Sequence, residues 1–216
     1  MHHALRGALL SFLAATPAWA QAPVTPVDPA PPPGAYYHGG FYLRGGAGLA
    51  WTHARFSRGG IPGEAVASGF GEAMSFAIGG AIAQKLMLAF DVGGNQVRPS
   101  TSSPEVTGVS FYHVLGLLDW YPNPYRGLHF ELGGGVSVVD YSARTLGGRL
   151  DSAHGGNGFA WHLGAGWEGW IGEQWSLGAL LRLDGTQAND SRLDETGGSV
   201  TISVIAPSLL IMLTYN

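Results

Sequence analysis

Residues 158–186 read GFAWHLGAGWEGWIGEQWSLGALLRLDGT, and few folds accept that order of side chains. At period two, Phe159, Trp161, Leu163, Ala165, Trp167, Gly169 and Ile171 fall on one face, opposite Ala160, His162, Gly164, Gly166, Glu168 and Trp170. After Gly172-Glu173-Gln174 the alternation resumes, with Trp175, Leu177, Ala179, Leu181 and Leu183 against Ser176, Gly178, Leu180, Arg182 and Asp184. Each strand thus has one bulky apolar face and one face of small or ionisable residues. A soluble sheet hides its large apolar face on a core and shows charge to water. A membrane barrel inverts this, with bulky apolar residues outside and small or charged ones inside. Trp167, Trp170 and Trp175 flank the turn, where an amphipathic ring suits a membrane interface. The hairpin predicts a transmembrane β-barrel.

The rest of the chain allows that route. Residues 1–20 have the features of a secretory signal: Arg6, the apolar run GALLSFLAA (7–15), and the small-x-small end Ala18-Trp19-Ala20, with cleavage expected after Ala20. No later stretch offers 18 uninterrupted apolar residues, so insertion must be by strands. Cysteine is absent, which excludes disulfides, thiolate metal sites and a lipoprotein anchor. Eleven Lys and Arg against fifteen Asp and Glu, with no basic stripe, exclude a nucleic-acid partner. Residues 21–36 open with QAPVTPVDPAPPPG, a proline-rich linker that cannot join a ladder. Residues 37–216 form the barrel domain.

Strand by strand the same alternation recurs. Phe41, Leu43, Leu49 and Trp51 share a face opposite Tyr42 and Arg44. Phe70, Met74, Phe76, Ile78 and Ile82 alternate with a uniformly small set, Gly71 to Ala81, which a narrow lumen needs if long side chains are to enter from other strands. Leu86 to Val92 place Asp91 inward; residues 109–121 place His113 and Asp119 inward; residues 128–141 place His129 and Glu131 inward. In the last strand Val200, Ile202 and Val204 have even parity while Pro207, Leu209, Ile211, Leu213 and Tyr215 have odd. One extra residue near Ala206-Pro207 would turn both sets to lipid, so a β-bulge is expected there. Eight strands result, with connections alternating long and short: 56–69, 83–85, 98–108, 122–127, 142–157, 172–174 and 187–198. Such asymmetry is that of outer-membrane barrels, with short periplasmic turns and longer external loops.

At GGFYLRGGAGLAW (39–51), LHFELGGGVSVVDY (128–141) and FAWHLGAGWEGWIGEQWSLGALLRLDG (159–185) the sequence resembles the small Gram-negative outer-membrane β-barrels, the OmpA-like and Opa-like eight-stranded proteins. The resemblance spans residues 37–216. It implies an all-β, antiparallel up-and-down barrel in the outer membrane, assembled by the barrel-assembly machinery in contact with lipid and lipopolysaccharide. Members include adhesins, invasins, resistance factors and structural barrels, and some similar barrels hydrolyse lipid A with a Ser/His/acid set.

The inward ionisable residues are Arg44, Asp91, Asp119, Glu131, His162, Glu168, Arg182 and Asp184. Isolated charges in a narrow lumen are costly, so a paired structural network that plugs the barrel is expected. Trp51, Trp120, Trp161, Trp167, Trp175 and Tyr215 are expected at the membrane interfaces. For catalysis the available set is His154 with Ser152 and Asp151; neighbours on a glycine-rich loop fix such geometry poorly, and no catalytic residue is assigned. His38, His53, His113, His129, His154 and His162 lack metal-ligand spacing, so no metal and no cofactor is expected. The reading is a monomeric, non-enzymatic envelope barrel. Any extracellular partner would meet the loops at 56–69, 142–157 and 187–198. The alternatives are a lipid A-modifying hydrolase and a soluble secreted ligand-binding barrel.

Overall fold

A computed structural model describes residues 37–58, 64–102, 106–144, 150–190 and 199–216; the expected signal and linker lie outside these residues. Eight long strands follow in order: β1 (Phe41–Arg58), β2 (Glu64–Ala83), β3 (Leu86–Val97), β4 (Val106–Trp120), β5 (Leu128–Arg144), β6 (Leu150–Trp170), β7 (Trp175–Asp190) and β8 (Val200–Tyr215). Each pairs antiparallel with its sequence neighbour, and β1 pairs with both β2 and β8, so the sheet closes without an edge. A two-residue strand, Thr101–Ser102, adds to β2 at Ala67 and Ser68. This is the predicted fold: an all-antiparallel, up-and-down eight-stranded barrel of the outer-membrane type.

Closure puts the period-two alternation on two surfaces. Phe70, Met74, Phe90, Val136, Phe159, Trp167, Leu181 and Ile211 are each at least 60 % exposed on the outer wall, while Tyr42, Asp91, Asp119, His162 and Asp184 are fully buried within. A soluble ligand-binding barrel would line its cavity with the large apolar set. Here that set faces outward, which stabilises the chain only against lipid.

The strands run for 12 to 21 residues, against about 9–11 needed to cross a bilayer. At the end with the longer hairpins they therefore rise past the lipid, and there the pattern changes phase. On β1 the outward series Leu49, Trp51 gives way to His53, Arg55 and Ser57, while inward Arg44 and Thr52 give way to Ala54 and Phe56. On β8 the outward series runs Leu209, Pro207, Ile205 and then Ser203, Thr201; the inward one runs Thr214, Ser208 and then Val204, Ile202, Val200. Once water replaces lipid outside, the apolar face moves inside, as in any soluble sheet. Ala54, Phe56, Ala67, Val97, Val106, Val109, Val139, Ala188, Val200, Ile202 and Val204 form one apolar core there.

This corrects two expectations. No bulge occurs at Ala206-Pro207: the β7–β8 register runs unbroken through Leu183↔Pro207 and Asp184↔Ala206. Val200, Ile202 and Val204 point inward from the same parity as Ser208 and Met212, so no extra residue is required. Register shifts fall instead at Ala81/Ala83, Val106/Gly108 and Val138/Val139. The segments 56–69 and 142–157, expected as loops, are largely strand, with β1 reaching Arg58 and β6 beginning at Leu150; of 187–198, β7 takes 187–190 and residues 191–198 lie outside the described residues. The polar composition that suggested loops is the water-facing wall of hairpins standing above the membrane.

Candidate functional site

The lumen holds the ionisable residues, and its layers are best followed from the periplasmic mouth. Residues Tyr37 to Gly40 turn across that mouth. Gly40 takes φ +87, a left-handed conformation that favours glycine, just before β1 begins. His38 is buried, stacked on Tyr121 at 4.1 Å and inclined against Trp170 at 4.5 Å, with its backbone N–H donating to Pro124 O at 3.2 Å. Glu168 lies beneath. It accepts from Tyr121 Oη and Thr214 Oγ1, each at 2.7 Å, and its Oε1 is 3.5 Å from His38 Nδ1. Burial holds the His38 imidazole below its ordinary value of 6.5, with Glu168 acting in the other direction.

One layer up, Arg44 bridges two carboxylates. Its Nη1 donates to Asp119 Oδ2 at 3.1 Å and contacts Glu131 Oε1. Tyr42 Oη also donates to Asp119 Oδ2, at 3.0 Å, and His129 Nδ1 donates to Asp119 Oδ1 at 2.8 Å. Asp119 and Glu131 are direct cross-strand partners, so two carboxylates side by side demand a cation between them. In the next layer Arg182 Nε donates to Asp184 Oδ2 at 3.0 Å, while Asp91 accepts from Ser75 Oγ at 2.5 Å and His113 Nε2 at 2.9 Å. Ser137 and Thr186 share a hydroxyl hydrogen bond above, and the apolar core closes the outer end.

Glycines make room for these rings. His113, His162 and His129 each stand directly opposite a glycine: Gly93, Gly133 and Gly166. A Cβ on Gly166 would lie 2.0 Å from His129 Nε2, and one on Gly133 2.9 Å from His162 Nε2. The abundant glycine of the sequence thus has a local cause: a narrow barrel admits an imidazole only where the facing residue has no side chain.

All eight residues of the expected network are buried in the lumen. The network also includes His38, Tyr42, His113, Tyr121 and His129, which were not assigned to it. Among the aromatics, Trp175 and Phe41 pack against Tyr215 at 5.1 and 6.2 Å, and Trp120 packs on Phe130 at 5.8 Å, all near the periplasmic rim. Trp167 is 63 % exposed. Trp51 meets Phe70 edge-on at 4.7 Å near the outer boundary, and Trp161 is half-buried against Gly185. Asp151, Ser152 and His154 lie on β6 rather than in a loop, and their side chains are outside the described residues.

A Ser–His pair does occur on the outer wall: His53 Nδ1 is 2.6 Å from Ser68 Oγ. Arg55 Nε donates to His53 Nε2 at 3.2 Å, which leaves the ring proton on Nδ1. The imidazole therefore donates to Ser68 instead of accepting its proton, the wrong polarity for a nucleophile–base pair.

The closed barrel, the apolar outer wall and the charged interior define a small outer-membrane β-barrel. No protein-family model matches the chain, and no curated protein does. Among solved structures, it is similar to Neisserial surface protein A, at 16% identity over 81% of this chain and 96% of that one, with a TM-score of 0.48. It is also similar to OprG of Pseudomonas aeruginosa, at 13% identity over 84% and 97% with a TM-score of 0.44. The third is Ail, the attachment invasion locus protein of Yersinia pestis, at 12% over 80% and 99% with a TM-score of 0.41.

Proposed function

We propose that the protein is a non-conducting, non-enzymatic outer-membrane barrel that acts at the cell surface through the water-exposed rim of its extended hairpins. The observation that carries this reading is that side chains of the described residues cross the lumen at both ends and in its middle. His38, Tyr121, Trp170 and Glu168 occupy the periplasmic mouth, paired charges fill the middle, and the apolar core around Phe56 and Ile202 seals the top. Eight strands leave an interior just wide enough for side chains, so such packing leaves no aqueous path. The proton placement in the Ser68–His53–Arg55 set supports a non-catalytic role. The hairpin walls carry exposed Arg55, Ser57, Gln187 and Asn189, a polar surface suited to a hydrophilic partner at the cell exterior.

The test combines fractionation with conductance. The protein is expected in the outer-membrane fraction, heat-modifiable on a denaturing gel, and silent in planar bilayers. Reproducible conductance steps from the purified barrel, or recovery as a soluble periplasmic protein, would overturn the reading.

A further inference from the structure

Among the described residues, five carboxylates in the periplasmic and middle layers of the lumen, Asp91, Asp119, Glu131, Glu168 and Asp184, face two guanidiniums, Arg44 and Arg182, and a sixth buried carboxylate, Asp190, lies on β7 toward the outer end. Their pairings show where positive charge is short. Arg44 serves Asp119 and Glu131; Arg182 serves Asp184 through Nε. Among the described residues, Asp91 accepts hydrogen bonds from a hydroxyl and an imidazole, Ser75 and His113. Beside them stands His162, fully buried, with no hydrogen-bond partner at either ring nitrogen; its nearest carboxylate oxygens are 3.7 and 3.9 Å away.

We propose that Asp91, His113 and His162 bind one divalent first-row transition ion of the zinc type in the middle of the lumen. Each offers one ligand atom, and those atoms lie within 4.8 Å of one another. Two imidazoles and a carboxylate are the donor set such ions select. His113 Nε2 and Asp91 Oδ1, 2.9 Å apart, share one proton. Ligand atoms held at about 2.0–2.2 Å around a tetrahedral ion stand roughly 3.3–3.6 Å apart, so an ion replaces that proton with a shift of a few tenths of an ångström in this pair, and His162 closes in from a separation of at most 4.8 Å. Ser75 holds Asp91 by Oδ2 and leaves Oδ1 toward the imidazoles, the role of a hydrogen-bonding partner behind a ligand. His162 reaches from β6 across β5 over the side-chain-free Gly133, and its ring centroid is 6.3 Å from that of His113. The ligands come from three strands, so the site exists only in the closed barrel. A second carboxylate–imidazole group, Asp119, His129 and Glu131, already holds the Arg44 guanidinium and is not assigned an ion.

The experiment refolds the full chain into detergent micelles with Zn2+ or Co2+, removes loose ion on chelating resin, and measures retained metal by mass spectrometry. Folding is confirmed by the unboiled gel shift. The expected result is a stoichiometry near one ion per barrel, with visible Co2+ ligand-field bands, and loss of both in His162→Gln and Asp91→Asn. Glu131→Gln is expected to retain the ion. Folded wild type that keeps no ion, or His162→Gln that keeps as much as wild type, overturns the site. Should the variants fail to fold, X-ray absorption of the zinc-loaded wild type decides: two imidazole nitrogens in the shell uphold the assignment, and a shell without them overturns it.

Discussion

Arg44→Met tests the lumen network most directly. The substitution keeps an unbranched apolar stem and removes the guanidinium that lies between Asp119 and Glu131, all three at most 4 % exposed. Two carboxylates facing each other across the β4–β5 register then lose their shared cation in a site that water does not reach. Removing one partner of a buried ion pair costs about 3–5 kcal/mol, because the remaining charge is neither solvated nor paired. An exposed pair would cost about 0.2–1 kcal/mol. The two ranges do not overlap, so the measurement discriminates. The assay is urea unfolding of the barrel in lipid vesicles, followed by tryptophan fluorescence at pH 7. Arg44→Met is compared with the triple variant Arg44→Met, Asp119→Asn, Glu131→Gln, which removes the stranded charge and keeps one amide oxygen at 119 to accept from Tyr42 or His129, with the amide NH2 toward the other. The single variant is expected to lose about 3–5 kcal/mol and the triple to recover more than half of it. A loss below about 1 kcal/mol, or a triple variant no better than the single one, would refute the account of the lumen as a desolvated charge network.

Leu163→Arg, on the lipid-facing wall, should cost about 2–4 kcal/mol, whereas Thr201→Arg, outward on β8 but above the lipid, should be nearly neutral; equal effects in vesicle unfolding would contradict the phase change at the outer boundary. Ile202→Ala removes a fully buried side chain from the apolar core and should cost about 2–5 kcal/mol in the same assay, although its apolar character, with a bulge invoked, placed Ile202 in lipid. Gly166→Val would drive a Cβ to 2.0 Å from His129 Nε2 and push that ring off Asp119, with an expected loss of about 1–3 kcal/mol; an unchanged unfolding midpoint would show that the ring has room elsewhere. Docking of the 37–40 segment should depend on pH. Because burial holds docked His38 below 6.5, the undocked imidazole takes up a proton first as pH falls. Docking is therefore complete above 6.5 and weakens below it, toward the lower docked value. Limited proteolysis at this segment should accelerate between pH 7 and 5, and a flat rate would contradict the burial of a neutral ring.

What the sequence disclosed was decided by the medium outside each residue. From Leu213 down to Ile205 on β8, and from Phe41 up to Trp51 on β1, lipid surrounds the wall, and the rule of bulky apolar residues outside reads correctly. Beyond Ile205 and Trp51 water surrounds it, and the same rule turned Val200, Ile202 and Val204 the wrong way. Parity held the correction. Even positions from Val200 to Thr214 stay inward without interruption, so the reversal in polarity marks the membrane surface and not a fault in the strand. The network residues were legible one at a time, as ionisable residues of inward parity. His113 and His129 share that parity but do not belong to the expected network, and among the histidines no i, i+2 or i, i+4 pair marks them. Their signal lay across strands: each faces a glycine, at 93 and 166, as His162 faces Gly133. A charged residue opposite a glycine in the predicted register identifies a side chain that crosses a narrow lumen, and therefore one able to meet residues of strands that are not its neighbours. That criterion picks out His113 and His162; Asp91, opposite Ala77 and Leu115, meets them through closure of the barrel, which brings together residues that no linear spacing relates.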